Sequence, residues 1–220
     1  MTDFSLQLNE ISFTYPRAPA GFKLEVEHFS PGLCSALLGQ NGSGKTTLGK
    51  LAVGILRPDA GSVLYDGQDI ADWRLGKIGR HVGYLFQDPS RQIFSPHPVE
   101  EIAFPLELRG MQKHAAKEKA RELISEYKLE SILDNTTYTL SRGEKQCLAI
   151  VAVMACEPRF LILDEPTTGL DKKRCDILAA TLRGLIERGV GLMLITHDRK
   201  FAEELGAELR FMEGGRFVDV

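Results

Sequence analysis

The sequence predicts an α/β fold: a parallel sheet covered by helices, with a helical lobe inserted in mid-chain. Two observations lead there. Apolar runs at residues 33–38, 160–163 and 192–195 read as strands, each passing into polar residues, and helical segments separate them in a βαβ-like order. The stretch 113–128, inside a longer helical region at 99–128, is charged and free of glycine and proline, as a solvent-facing helix would be.

The elements follow in order. Residues 4–8 and 11–15 suit strands and are split by Asn9 and Glu10. Phe22, Leu24 and Val26 alternate with Lys23, Glu25 and Glu27, the two-residue period of a half-buried strand. Pro16, Pro19 and Gly21 mark residues 16–21 as a turn or loop. After the run at 33–38 comes a glycine-rich loop, then a helix over 47–55 that ends near Gly54 and Pro58. Residues 61–85 read as further strands and turns. A helix over 172–188, closed by Gly189, joins the last two apolar runs.

Composition narrows the class. A chain of 220 residues can bury a core without disulfide staples. Its formal net charge of −3 gives no strongly basic surface, so nucleic acid is not an expected partner. The start MTDFSLQLNE lacks a cationic head followed by an apolar run, and no uninterrupted apolar stretch is long enough to span a bilayer. Work at a membrane would therefore go through a partner. Cys34, Cys147, Cys156 and Cys175 form no CxxC pair, which favours reduced thiols in the cytosol over zinc. His28, His81, His97 and His114 read as surface or turn residues.

Gly39-Gln40-Asn41-Gly42-Ser43-Gly44-Lys45-Thr46 fits G-x-x-x-x-G-K-[ST], set between a strand and a helix. Glycines let backbone N–H groups turn toward phosphate oxygens, and the helix start adds partial positive charge. Lys45 would reach the β- and γ-phosphates, and the Thr46 hydroxyl would ligate Mg²⁺. The motif indicates a nucleoside triphosphate without separating kinases from GTPases and ATPases.

The strand at 160–163 ends in Asp164 and Glu165. An apolar strand delivers such acids to the carboxyl edge of the sheet, where α/β folds bind ligands. Asp164 suits the Mg²⁺-organising role, and Glu165 suits a general base that polarises an attacking water. Paired acids favour hydrolysis over simple binding.

Leu140-Ser141-Arg142-Gly143-Glu144-Lys145-Gln146 carries the capping-box spacing of Ser141 and Glu144 and leads into an apolar-rich helical stretch. Taken alone, this is an ordinary helix start. With the phosphate loop, Gln87, the acid strand, Asp171 and His197 in that order along the chain, it resembles the signature of the ABC ATPases, usually LSGGQ or LSGGE. The resemblance covers nearly the whole chain. It implies a P-loop NTPase (RecA-like) core with an antiparallel β subdomain, from about 1–87 and 157–220, and an inserted α-helical signature subdomain at about 88–156.

The resemblance also assigns roles. Tyr15 stacks on adenine; Thr47 follows Thr46 in the nucleotide loop. Gln87 touches Mg²⁺ or water and senses a membrane partner. Ser141, Gly143 and Glu144 contact the nucleotide held by a second ATPase chain, identical or homologous. Asp171 is the matching D-loop acid, and His197 the switch histidine at the γ-phosphate. ATP and Mg²⁺ are the implied cofactors, integral membrane transporter subunits the implied partners, and the cytoplasmic face of the membrane the implied place.

Residues 87–94 and 99–106 resemble the corresponding segments of energy-coupling-factor and cobalt-type importers, which supply vitamins or metal ions. Phe86, Ile93, Phe94 and Phe104 are then candidates, with Gln92, to line a groove for a membrane subunit's helix. Three features depart from the pattern. Arg142 replaces the first signature glycine, Cys147 stands where many relatives have arginine, and little sequence follows His197, where many energy-coupling ATPases carry a helical region that helps hold the dimer, so the resemblance gives less support to a stable resting dimer. A soluble ABC ATPase acting on nucleic acid or the ribosome is the alternative; a P-loop kinase leaves the signature unexplained.

Overall fold

The computed structural model describes residues 4–16 and 21–218, so most of the expected 16–21 loop lies outside the described residues. In chain order the elements are β1 (Leu6–Phe13), β2 (Phe22–Lys23), β3 (Glu27–Phe29), β4 (Cys34–Leu38), α1 (Lys45–Ala52), β5 (Ala60–Tyr65), β6 (Gln68–Asp69), α2 (Leu75–Ile78), β7 (Val82–Leu85), α3 (Pro98–Leu108), α4 (Lys113–Glu126), α5 (Arg142–Ala155), β8 (Phe160–Asp164), α6 (Lys172–Glu187), β9 (Gly191–Ile195), α7 (Arg199–Glu204), β10 (Glu208–Glu213) and β11 (Arg216–Val218). They form two compact units. The first takes Met1–Tyr84, Arg159–Glu165 and Thr181–Val220; the second takes Leu85–Pro158 and Pro166–Ala180.

The first unit holds two sheets. One has the strand order β11-β10-β4-β9-β8-β7. Strands β10, β4, β9 and β8 run parallel, with Ala36 opposite both Leu194 and Leu209. Every residue of β4, β8 and β9 is buried, as expected where helices or a second sheet cover both faces. The other sheet is antiparallel, in the order β2-β1-β5-β6 with β3 also on β1. One core joins the two, including Leu6, Leu8 and Ile11 of β1, Leu37 of β4, Leu48 and Leu51 of α1, and Phe160, Met193 and Ile195. Helix α1 is therefore seated by its apolar face, and the Tyr65 hydroxyl donates to the Ala52 carbonyl at 2.6 Å near its end.

Several expected boundaries move. Asn9 and Glu10 do not split the first strand. Glu10 takes φ 47° and the register slips between Asn9 and Ser12, so β1 absorbs them as a bulge. Beside the bulge the expected strand at 22–27 is interrupted, leaving β2 at its start and the first residue of β3 at its end, although Leu24 N–H still donates to Ile11 O at 2.8 Å. Helix α1 starts at Lys45 because Gly44, at φ 108°, makes the turn into it. The hairpin β10–β11 was not anticipated. Its turn residues Gly214 and Gly215 both have positive φ, the geometry that tight hairpins require.

In the second unit the expected helical stretch at 99–128 is two helices, broken where Gly110 takes φ 96°. Its core gathers Ile102, Ala103 and Leu106 of α3, Ala116, Ala120 and Ile124 of α4, and Leu148 and Val151 of α5. The stretch 166–180 belongs to this unit as well.

Candidate functional site

The loop after β4 wraps the start of α1. Gly39 adopts φ 143°, and a Cβ there would lie 2.2 Å from the Met212 carbonyl, so only glycine fits. The Ser43 carbonyl accepts from Gly215 N–H at 2.9 Å, which clips the loop to the C-terminal hairpin. Lys45 is buried; its ammonium donates to Gly39 O at 2.8 Å, Gln40 O at 2.9 Å and Ser43 Oγ at 3.2 Å. Burial lowers its pKa, opposed by the carboxylates of Glu165 and Asp164. Gln40, Asn41 and Gly42 stay exposed at the loop's crest. No side chain caps α1. Its first N–H groups have no partner inside the helix, which suits them to an anion.

The acid strand arrives through sheet order. Parallel pairing of β8 with β9 sets Asp164 opposite Ile195, so Glu165 and His197 leave the same edge. Thr46 Oγ1 donates to Asp164 Oδ2 at 2.7 Å. Asp164 Oδ1 is buried and has no hydrogen-bond partner among the described residues. Burial raises the Asp164 pKa, and the Thr46 hydrogen bond opposes it. Glu165 sits at φ 52° with its N–H bonded to Ile195 O at 2.8 Å. Its Oε2 lies 2.8 Å from His197 Nδ1. The hydrogen bond to Glu165 raises the His197 pKa, although the imidazole is largely exposed. Sequence reading named both residues without their contact; the signal was that two adjacent strands end in these motifs at the same edge.

Tyr15 and Thr47 are joined: the Tyr15 hydroxyl is 3.3 Å from Thr47 Oγ1. The Tyr15 ring stands edge-on to Phe13 at 4.8 Å and remains 43% exposed, leaving a face open.

Gln87, Ser141, Gly143, Glu144 and Asp171 belong to the second unit. Gln87 is exposed in the turn after β7. The capping box forms as expected: Glu144 N–H donates to Ser141 Oγ at 3.3 Å, and Ser141 N–H to Glu144 Oε2 at 2.9 Å. The Ser141 hydroxyl and N–H lower the Glu144 pKa. A Cβ on Gly143 would lie 2.6 Å from Gly169 O, so α5 and the turn before α6 meet backbone to backbone. The Arg142 stem lies 3.6–3.7 Å from where a Gly169 Cβ would be. Asp171 Oδ1 accepts from Arg174 N–H at 2.9 Å, which makes it a cap of α6, a role the sequence reading did not give it.

Of the four candidate docking residues, Ile93 packs against the unit's core. Phe86 N–H donates to Gln92 Oε1 at 3.1 Å. Phe94 and Phe104 are 58% and 42% exposed and face each other edge-on at 4.8 Å.

A glycine loop between a parallel strand and a helix, beside an acid-ended strand, defines the class of phosphate-loop nucleotide-binding folds. Residues 26–168 match the family described as ABC transporter, and the chain belongs to that family as one of its ATP-binding members. It is 40% identical over 185 residues to a protein of Methanosarcina acetivorans named as an ABC transporter ATP-binding protein. That match covers 84% of this chain and only 30% of the relative. It is 34% identical over 219 residues to the energy-coupling factor transporter ATP-binding protein EcfA of Methanothermobacter thermautotrophicus, covering 97% of this chain and 69% of EcfA. Among solved structures it resembles CbiO1 of Clostridium perfringens, part of the ABC transporter complex CbiONQ. The TM-score is 0.82 at 29% identity, with 99% of this chain and 88% of CbiO1 covered.

Proposed function

We propose that this chain is the ATP-hydrolysing subunit of an energy-coupling-type importer of a vitamin or metal ion. It would work on the cytoplasmic face of the membrane, with a second ATPase chain and integral membrane subunits. The observation that carries the hydrolytic part is the Glu165–His197 contact of 2.8 Å beside the Thr46–Asp164 pair. The importer subtype draws its support from the similarity to EcfA and CbiO1. Among the described residues no helix is long and apolar enough to cross a membrane, in keeping with a motor that needs a membrane partner.

In this reading the loop N–H groups and Lys45 hold the triphosphate, and Tyr15 offers its free face to adenine. Glu165 accepts the proton of the attacking water while the new O–P bond forms and the β–γ P–O bond breaks, giving ADP and phosphate. His197, held by Glu165, contacts the γ-phosphate. The buried, unpartnered Asp164 Oδ1 with Thr46 on its other oxygen suits Mg²⁺. Bound there, Mg²⁺ would neutralise charge on the phosphates.

The exposed Phe94–Phe104 pair is the proposed seat of a membrane subunit's helix. An exposed aromatic pair has the character of the few apolar anchors that hold such a helix in a groove. Two experiments test the reading. Urea-washed membranes of the source cell should bind the purified chain and change its ATPase rate. Phe94→Asp should abolish that binding and leave basal hydrolysis intact. Failure of the wild-type chain to bind would overturn the transporter assignment, while stimulation by RNA or DNA instead would favour the soluble alternative.

A further inference from the structure

The second unit contains a small polar cluster that is almost wholly buried. Ser95, Glu101 and Thr137 are 7%, 4% and 2% exposed. Glu101 Oε2 accepts two backbone N–H groups, from Phe94 at 3.1 Å and Ser95 at 2.8 Å. From the other side, Thr137 Oγ1 donates to Ser95 O at 2.6 Å, and Thr137 N–H donates to Pro96 O at 2.9 Å. Residues 94–96 are thus gripped between α3 and the short 3₁₀ turn Thr137–Thr139.

Both ends of the grip lead somewhere. On α3, Glu101 reaches inward to hold the Phe94 amide, while Phe104, one turn on, packs outside against the Phe94 ring. The turn Thr137–Thr139 runs through buried Leu140 into Ser141, the cap of α5. Leu140 shares the unit's core with Leu148 of that helix. Apolar residues in place of a buried charged cluster are often as stable, so what a fully bonded cluster supplies is one fixed geometry.

We infer that the Glu101–Ser95–Thr137 link is a positioning device: it makes the exposed Phe94–Phe104 pair and the entry to α5 move as one body. A helix seated on the pair then acts on Ser141 without slack. The inference rests on the docking reading above. It adds that docking and its effect on turnover are separable, and that these three residues separate them.

Thr137→Val keeps the shape of the side chain and removes its hydrogen bond to Ser95; Thr137→Ser restores it. In the purified chain, hydrogen exchange at the Phe94 and Ser95 amides should quicken at least tenfold in Thr137→Val and return in Thr137→Ser. Basal ATP turnover should stay within twofold in both. With urea-washed membranes as the probe, Thr137→Val should still sediment with them, yet the membrane-induced change in turnover should fall at least tenfold, with rescue by serine. If Thr137→Val folds poorly, Glu101→Gln, which retains an acceptor but loses the charge, should show a smaller loss of the same kind. Full membrane response in a variant whose exchange shows the link open overturns this inference alone. Wild-type protein that ignores the membranes overturns the docking reading and this inference with it.

Discussion

The two helix starts assigned to nucleotide, those of α1 and α5, are built on opposite plans. At α1 the cap is Gly44 and no side chain satisfies the first turn. At α5 the turn satisfies itself, through Ser141 and Glu144 in a reciprocal capping box. The first is an uncapped start set among a buried lysine, a loop clipped to a hairpin, and a glycine with a carbonyl 2.2 Å from where its Cβ would be. The second is a self-satisfied helix start at which Ser141 and Arg142 lie exposed and Gly143 is buried. The contrast teaches that α1 leaves its first N–H groups open to a ligand within one chain, whereas α5 satisfies its own; on the proposed function, α5 would meet phosphate only when a second ATPase chain brings it.

The largest test separates binding from chemistry beside α1. Glu165→Gln keeps the shape and removes the base, so hydrolysis should fall at least about 100-fold while ATP binding persists. Turnover at the wild-type rate would break the assignment. Next comes the base contact. Tyr15→Ala should weaken ATP binding by about 1–3 kcal/mol, the range for stacking on one base, with Tyr15→Trp near wild type by calorimetry. Equal affinities would remove Tyr15 from the site.

At the other start, Ser141→Ala should destabilise the second unit by about 0.5–2 kcal/mol, the ordinary cost of a lost cap, without altering ATP binding by the isolated chain. Reduced ATP binding there would erase the contrast.

The smallest effect is on pH. The Glu165 hydrogen bond raises the His197 pKa. Its contribution to stability is therefore complete below the ordinary histidine value of about 6.5 and disappears as pH rises through the raised value. The melting temperature should show a shallow fall across that interval, absent in His197→Ala. Because the imidazole is mostly exposed, the step should be small.

What could be read from the sequence followed from continuity. Strands β4, β8 and β9 are buried and mostly apolar runs, and the loop and acids lie directly at the ends of β4 and β8. Residues whose meaning depends on a distant neighbour were illegible. Glu101 and Thr137 look like surface residues in the sequence, yet each is buried against residues 94–96. The sequence suggests a surface or turn residue at His81; it stands in a turn, but its ring is partly buried among Phe4, Tyr65 and Trp73. The β10–β11 hairpin was missed although Gly214-Gly215 between two short runs was a usable signal.

Glu165 occupies a backbone conformation, φ 52°, that glycine or asparagine would adopt with less strain. For other residues such a setting costs on the order of 1–3 kcal/mol. A chain selected only to fold would drift away from glutamate here, toward heat resistance and, on the role proposed for Glu165, toward idleness as well. Thermostabilised descendants of this protein should therefore be checked at position 165 before any of them is counted as an improved motor.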